Sequence, residues 1–196
     1  MAKLKGPLFS FGARGKLGGA LVYFPWKGIN AVREYVIPAN PNTTDQAAQR
    51  THMTNAVAEW HGAAYTADDV TAWNKLAGIL KESMSGFNRM VREFINEAIL
   101  GNTWERVKNA VVTAYATATI DVDIDKVSGG NAPTIYWGTR KTHFPNSASM
   151  ADTAANRWFY QITGLNASTL YYFYIDVGAS GTDYGRTGIY QQRTTA

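Results

Sequence analysis

The segment from Leu165 to Ile175 constrains the fold more than any other part of this sequence. After a turn, large side chains alternate along it: Tyr171, Phe173 and Ile175, with Tyr172 and Tyr174 between them. Residues two apart on a β-strand share a face, so the first three are predicted to point into a core and the other two away from it. The position of Tyr171 after the turn also predicts a hydrogen bond from its hydroxyl to nearby backbone, as in the tyrosine corner of a β-sandwich.

Further strands are predicted around this segment, because the hydrophobic period changes from helical to two at about Val111. They are residues 118–124, 134–140, 157–163, 170–177 and 187–193. Glycine- and asparagine-rich turns separate them at sandwich-like intervals. We therefore predict a β-sandwich over residues 113–196, with a domain boundary between Gly101 and Thr113.

The same segment resembles the fibronectin type III pattern Leu-x-Pro-Gly-Thr-x-Tyr-x-Phe-x-Val, with Ala167 and Ser168 where that family has Pro and Gly. The core-facing positions of the pattern are retained. The resemblance implies a fibronectin type III-like sandwich, which is a binding or scaffold module and not a catalytic one.

The N-terminal region has a different character. Residues 1–19 hold five glycines and Pro7, too many for a helix or a central strand, and predict an extended arm. Two β-prone runs follow, Ala20 to Phe24 and Ala31 to Ile37, and the intervening Pro25 to Gly28 predicts a hairpin loop. A hairpin alone is marginally stable, so it is expected to pack on the helices that follow or on another protein.

Three amphipathic helices are predicted next. Thr43 with Gln46, and Thr66 with Asp69, have the spacing of capping boxes, while a third helix should begin near Ser85 and stop at Gly101. The predicted buried stripes are Met53, Ala56, Val57, Trp60 and Ala64; Val70, Trp73, Leu76, Ala77 and Leu80; and Phe87, Met90, Val91, Phe94, Ile95 and Ala98.

The fold predicted from these elements is α+β with two domains. A basic arm over residues 1–19 leads into an anchoring domain over residues 20–110, which combines the hairpin with a three-helix bundle. The β-sandwich over residues 113–196 follows.

Charge is concentrated at the N-terminus. Residues 1–33 carry six lysines and arginines and no acidic residue, whereas the chain as a whole has a net charge of +4. The absence of cysteine excludes disulfides, thiolate metal sites and thiol nucleophiles. No apolar run reaches the roughly 20 residues of a membrane helix, and no apolar segment of a signal peptide follows Lys3 and Lys5, so we expect folding in the cytoplasm without export.

No motif in the sequence favours an enzyme or a cofactor. The glycines near Lys16 do not have phosphate-loop spacing, and His52, His61 and His143 do not have metal-ligand spacing. Asp121, Asp123 and Asp125 share one strand face and could contribute to a calcium site, although such a row is more often a solvated face. We therefore predict a protein that is not an enzyme and has no cofactor or bound metal.

Cations interleaved with aromatic residues form the strongest functional pattern. The residues predicted to contact a partner are Arg14, Lys16, Tyr23, Trp26, Lys27 and Arg33. Such a set suits an acidic protein neighbour, for which arginine and aromatic side chains are good anchors. It also suits nucleic acid, through phosphate contacts and base stacking.

The stretch from Gly18 to Gly28, with Pro25, Trp26 and Lys27, continues into Asn40, Pro41 and Thr43. Together with Trp73-Asn74 and the run from Ser85 to Asn88, it resembles a family of small proteins encoded by phages and prophages. The likeness covers about residues 12–100.

The resemblance implies a virion component with no catalytic residue. Its partners would be capsid, connector or tail subunits, and it would form a homo-oligomer within the particle. A nucleic-acid-binding protein and a host-surface adhesin that uses the sandwich loops are the rival hypotheses.

Overall fold

The computed structural model describes residues 2–3, 14–37, 39–40, 42–79, 83–126, 131–154, 157–178 and 183–196. The chain divides into two compact units, Met1–Thr43 and Thr44–Ala196, called here the N-terminal and C-terminal units. The hairpin and the helices therefore lie in different units, whereas the sequence placed them together in residues 20–110. The predicted boundary between Gly101 and Thr113 is replaced by one at Thr43.

The N-terminal unit contains a four-stranded antiparallel sheet, called here the N-terminal sheet. Its strands are β1 (Ala2–Lys3), β2 (Gly15–Leu17), β3 (Leu21–Trp26) and β4 (Ile29–Glu34), in the order β1-β4-β3-β2. The extended arm predicted for residues 1–19 is corrected for its described part, because residues 2–3 and 15–17 are strands of this sheet. Gly18 has a φ of 57°, which permits the tight turn that folds β2 back on β3. Residues 4–13 of the predicted arm lie outside the described residues.

The three helices of the C-terminal unit follow the predicted starts and stops. They are α1 (Thr44–Gly62), α2 (Ala67–Ile79) and α3 (Gly86–Leu100). At the start of α2, Asp69 N donates to Thr66 Oγ1 and Thr66 N donates to Asp69 Oδ2, which is the predicted capping box. Helix α3 has Ser85 as its N-cap and Gly101, at a φ of 82°, as its C-cap.

The predicted stripe of α1 is only partly buried. Ala56 is buried, but Met53 is 46% exposed and Ala64 lies beyond the helix at a φ of 52°. The first two turns of α1 consist of polar residues and alanine, which gives this end little apolar surface to bury. The stripes of α2 and α3 are confirmed at Trp73, Leu76, Ala77, Met90 and Val91, while Leu80 lies outside the described residues.

A β-sandwich forms the rest of the C-terminal unit, so the fold is α+β. The first sheet has the order β10-β11-β7-β6 and consists of β6 (Val107–Tyr115), β7 (Ile120–Lys126), β10 (Ala151–Ala154) and β11 (Arg157–Ile162). The second has the order β5-β13-β12-β8-β9, with β14 also pairing with β12. Its strands are β5 (Thr103–Trp104), β8 (Thr134–Gly138), β9 (Asn146–Ser149), β12 (Leu170–Val177), β13 (Asp183–Arg186) and β14 (Tyr190–Arg193).

The predicted alternation and tyrosine corner are both confirmed. Tyr171, Phe173, Ile175 and Val177 are buried along β12, with half-buried residues between them. The Asn166 N–H donates to the Tyr171 hydroxyl at 2.9 Å, which fixes the turn that leads into β12. The strand predicted over residues 187–193 is shorter in the structure, where β14 begins at Tyr190, because Gly188 and Ile189 before it contact Ala72 of α2.

The helices are joined to the sandwich by specific contacts. Arg106 forms an ion pair with Glu59 of α1, and the Lys108 ammonium donates to the Ala63 carbonyl at 2.7 Å. The Ile189 N–H donates to the Ala72 carbonyl of α2 at 3.0 Å. Helices and sandwich therefore form one unit, which explains why no domain boundary lies between them.

A buried carboxylate makes the closest of these connections. Asp69, which is 1% exposed, accepts from Asn109 N at 3.0 Å and from the Tyr190 hydroxyl, besides its bonds to Thr66. Asn109 has a φ of 53° and lies within an irregularity of β6, which presents its N–H to the helix. The side chain of Asp69 thus connects the start of α2 to one strand from each sheet.

Candidate functional site

A two-residue turn fixes the register of the N-terminal sheet. Trp26 pairs with Ile29, and Lys27 and Gly28 between them have φ values of 49° and 78°. Two successive positive φ values are typical of the type I′ turn, whose twist matches that of a hairpin. The loop is therefore shorter than the predicted Pro25 to Gly28, and Pro25 lies within β3, beyond the residues that pair with β2.

The register divides the side chains between two faces, because residues directly opposite each other in an antiparallel pair share a face. One side, called the cationic face, comprises Lys16, Val22, Phe24, Trp26, Ile29, Ala31 and Arg33. The other, called the apolar face, comprises Leu17, Leu21, Tyr23, Pro25, Asn30, Val32 and Glu34. The described cations of the strands β2 to β4 therefore all lie on one face.

Neither face forms a core within the described part of the N-terminal unit. There, Ala31 is the single buried hydrophobic residue, at 5% exposure. Large apolar side chains are exposed on both faces and in the segment after β4: Leu17, Leu21, Trp26, Ile29, Val36 and Ile37. Because so little of its surface is buried, this sheet exposes more apolar area than is usual for an isolated domain.

Cation–aromatic contacts organise the cationic face. The Lys16 ammonium lies 3.8 Å from the centre of the Tyr35 ring, and the Arg33 guanidinium lies 5.4 Å from that of Phe24. Lys16 and Arg33 both lie opposite Val22, on either side of it, which places two positive charges in one line across the strands. Trp26, 56% exposed, lies at the turn end of the same face.

The structure separates the six residues predicted to contact a partner. Lys16, Trp26 and Arg33 share the cationic face, whereas Tyr23 of the same hairpin lies on the apolar face. Lys27 occupies the turn, and Arg14 is exposed just before β2. The sequence prediction missed Tyr35, which the period-two pattern from Arg33 could have identified, and the apolar pair Leu17 and Leu21.

The aspartate row of β7 is engaged by its neighbours in the sheet. Arg157 donates to Asp125 at 2.8 Å and lies 4.0 Å from Asp123, while Gln161 donates to Asp121 at 2.9 Å. Among the described residues, no group of three or more histidine or acidic side chains is placed to hold a metal ion. The contacts to Arg157 and Gln161 give these aspartates a role in pairing β7 with β11.

A second acidic group lies where α3 meets the sandwich. Asp176 pairs across the strands with Arg186, and one of its oxygens is buried without a donor among the described residues. Burial raises the pKa of Asp176 to about 6. The negative charges of Glu93 and Glu97 also raise this pKa, whereas the positive charge of Arg186 lowers it. Burial and the charge of Asp176 also raise the pKa of Tyr184 to about 12.

A cleft of about 320 Å³ opens between α2, β6 and β14, with Asp68, Thr71, Lys75, Gln191 and Gln192 among its lining residues. Burial, with a smaller contribution from Lys141, lowers the pKa of Lys75. None of the residues predicted to contact a partner lines this cleft. Within the described ranges, no helix combines the length and apolar character needed to span a bilayer.

No protein-family model matches this chain, and no curated protein matches it. Among solved structures, a fibronectin type III domain of human fibronectin type III domain containing protein 3 is similar over 48% of this chain and 86% of its own, with 16% identity and a TM-score of 0.35. The sensor domain of an anti-sigma factor from Pseudobacteroides cellulosolvens is similar over 47% of this chain and 95% of its own, with 13% identity and a TM-score of 0.33. A redesigned β-sandwich protein is similar over 46% of this chain and 89% of its own, with 16% identity and a TM-score of 0.37. These similarities concern the fold and carry no information about activity or partners.

Proposed function

We propose that this chain is a non-enzymatic structural protein of a bacteriophage or prophage particle, which attaches to other virion subunits through its N-terminal unit and presents its β-sandwich. The observation that carries the proposal is the N-terminal sheet. Its strands β2 to β4 expose apolar side chains on both faces, while Ala31 is the single buried hydrophobic residue among the described residues of that unit.

A sheet of this kind gains stability by binding. Ordering each residue costs about 1–2 kcal/mol of backbone entropy, and a protein recovers this cost by removing apolar surface from water. Where little surface is buried within the unit itself, a partner that covers Leu17, Leu21 or Ile29 supplies the missing burial. The partner-contacting residues of the proposal are the predicted Arg14, Lys16, Tyr23, Trp26, Lys27 and Arg33, supplemented by these apolar side chains.

The buried polar residues of the C-terminal unit support a structural role. The Thr187 hydroxyl accepts from Ile175 N and donates to the Gly188 carbonyl, both at 3.0 Å. The Thr194 hydroxyl donates to the Asn166 carbonyl at 2.6 Å and accepts from Thr169 N at 3.0 Å. Both hydroxyls and the Asp69 carboxylate are thus occupied in joining strands, turns and a helix.

The assignment to a phage particle rests on the resemblance described over about residues 12–100. In a particle, many copies of the chain would act together, and weak individual contacts would be sufficient through avidity. A homo-oligomeric arrangement set by the particle's symmetry is part of the proposal.

Incorporation into particles tests the proposal. Mass spectrometry of purified particles should find the wild-type protein at a fixed ratio to the major capsid subunit. Leu21→Asp places a charge on the apolar face and should reduce that ratio several-fold, whereas Lys141→Asp, an exposed position of the C-terminal unit, should leave it unchanged. Absence of the wild-type protein from the particles, or equal loss of both variants, would refute the proposal.

A further inference from the structure

The two faces of the N-terminal sheet are chemically different, and only one of them suits a polyanion. Residues 1–43 hold six lysines and arginines against one acidic residue, Glu34, a net charge of +5. Glu34 lies on the apolar face by register, so the cationic face carries Lys16 and Arg33 without an opposing carboxylate among its described residues. A protein partner covering the apolar face would leave this second face available.

We propose that the cationic face binds single-stranded nucleic acid, with a base stacked on Trp26 and phosphates held by Lys16, Arg33 and Lys27. The inference reassigns Lys16, Trp26 and Arg33 of the cationic face from the protein contact proposed above to nucleic acid. It leaves the apolar face, with Leu17, Leu21 and Tyr23, for a virion subunit. Exposed aromatic rings on a sheet stack with bases of any nucleotide sequence, since every base has a π-face. Nearby cations contact the phosphates of the nucleic acid. Trp26 is 56% exposed, and no cation–aromatic contact is formed by its ring among the described residues.

The spacing of the rings favours a single strand over a duplex. Phe24 and Trp26 are two residues apart on one face of β3, which separates them by about 6.8 Å. Successive nucleotides of a duplex strand rise by only about 3.4 Å. The Arg33 guanidinium lies over Phe24, so the nucleotide next to the one on Trp26 contacts this cation, and an extended strand with unstacked bases matches the two positions.

The positions of the cations agree with such a strand. Lys16 and Arg33 lie on β2 and β4, the two strands that flank β3. At the usual spacing these two strands are about 9.6 Å apart. Their contacts with Tyr35 and Phe24 hold both charges over the sheet. Lys27 lies at the opposite end of the hairpin, in the turn next to Trp26. A backbone that runs along β3 thus meets positive charge at both ends of the face.

Fluorescence anisotropy with the full chain tests this proposal, using a labelled oligothymidine of about 12 nucleotides, within the usual range of single-strand site sizes. Trp26→Leu should weaken binding about five-fold or more, as expected for the loss of one stacked base, and Trp26→Phe should restore most of it. Tyr115→Leu removes an exposed aromatic ring from β6 of the C-terminal unit and should have no effect. Equal affinity of the Trp26→Leu and wild-type proteins would overturn the proposal.

The phosphate contacts have their own test. The double variant Lys16→Ala/Arg33→Ala should reduce the slope of log affinity against log salt by about 1.4, given about 0.7 per single-strand phosphate contact. Arg140→Ala/Lys141→Ala removes the same charge from the C-terminal unit and should leave the slope unchanged. Binding of a duplex of equal length as tightly as the single strand would refute single-strand stacking. Complete displacement by polyglutamate at equal charge would instead identify an acidic protein as the partner class and overturn the proposal.

Discussion

Replacement of Asp69 by alanine should strongly destabilise the C-terminal unit. The carboxylate accepts hydrogen bonds from three groups, Thr66 at the start of α2, Asn109 of β6 and the Tyr190 hydroxyl. Loss of the helix cap costs about 1 kcal/mol. The half-buried Asn109 N–H and the buried Tyr190 hydroxyl would each lose a charged acceptor, at about 1–3 kcal/mol apiece. The expected loss in free energy of unfolding is therefore about 3–7 kcal/mol.

Urea unfolding followed by both far-UV circular dichroism and tryptophan fluorescence measures this loss. At about 2–4 °C per kcal/mol for a unit of this size, the melting temperature in a thermal scan should fall by about 6–28 °C. Asp68→Ala is the matched control, since Asp68 is exposed on the same turn of α2 and should change stability by less than about 0.5 kcal/mol. If Asp69→Ala were as stable as Asp68→Ala, Asp69 would not join the helices to the sandwich as we infer.

Three further substitutions test other parts of the account. Asp176→Asn should be more stable than wild type at neutral pH. The folded pKa of about 6 exceeds the ordinary aspartate value of 3.8, so ionisation of Asp176 removes stability as pH rises from about 4 to 6. The variant's advantage should grow over that interval to at most about 3 kcal/mol in chemical unfolding, and an advantage independent of pH would contradict the assigned cause. Tyr171→Phe should lower the free energy of unfolding by about 1–2 kcal/mol in the same assay, because the Asn166 N–H loses its acceptor, the Tyr171 hydroxyl. An unchanged stability would show that this hydrogen bond contributes nothing. Gly188→Ala should cost about 3 kcal/mol or more, since its Cβ would lie 2.2 Å from the Ala72 carbonyl carbon, and wild-type melting of this variant would disprove the close approach of β14 and α2.

The elements set by local chemistry were predictable from the sequence. The alternation along β12, the corner at Tyr171 and the capping box of Thr66 and Asp69 each depend on residues within about one turn or strand of one another. Such patterns appear in the chain as fixed spacings. The structure bears out each of them.

Contacts between distant residues account for what the sequence did not predict. The bond between Tyr190 and Asp69 joins positions far apart in the chain, and no spacing indicates it. Gly188 falls within the strand predicted over residues 187–193, whereas in the structure it precedes β14 and its lack of a side chain permits the close approach of Ala72. The single unit formed by helices and sandwich follows from such contacts, and for this reason the compact units divide at Thr43 and not near residue 110.

The candidate surface was predicted in part. Clustering of cations and aromatics identified the N-terminal region and six of its residues. Their division between two faces depends on register, which the two-residue turn at Lys27 and Gly28 sets. A four-residue loop, as predicted, leaves that register open, so Tyr23 could not be separated from Trp26 by sequence alone.

Chemical crosslinking with mass spectrometry on purified particles determines whether the N-terminal unit is the part that attaches to other virion subunits. The account predicts crosslinks from Lys27, in the exposed turn of the hairpin, to a different virion protein, and few or none from Lys141 of the C-terminal unit. Crosslinks to other subunits that arise from Lys141 and not from Lys27 would contradict it.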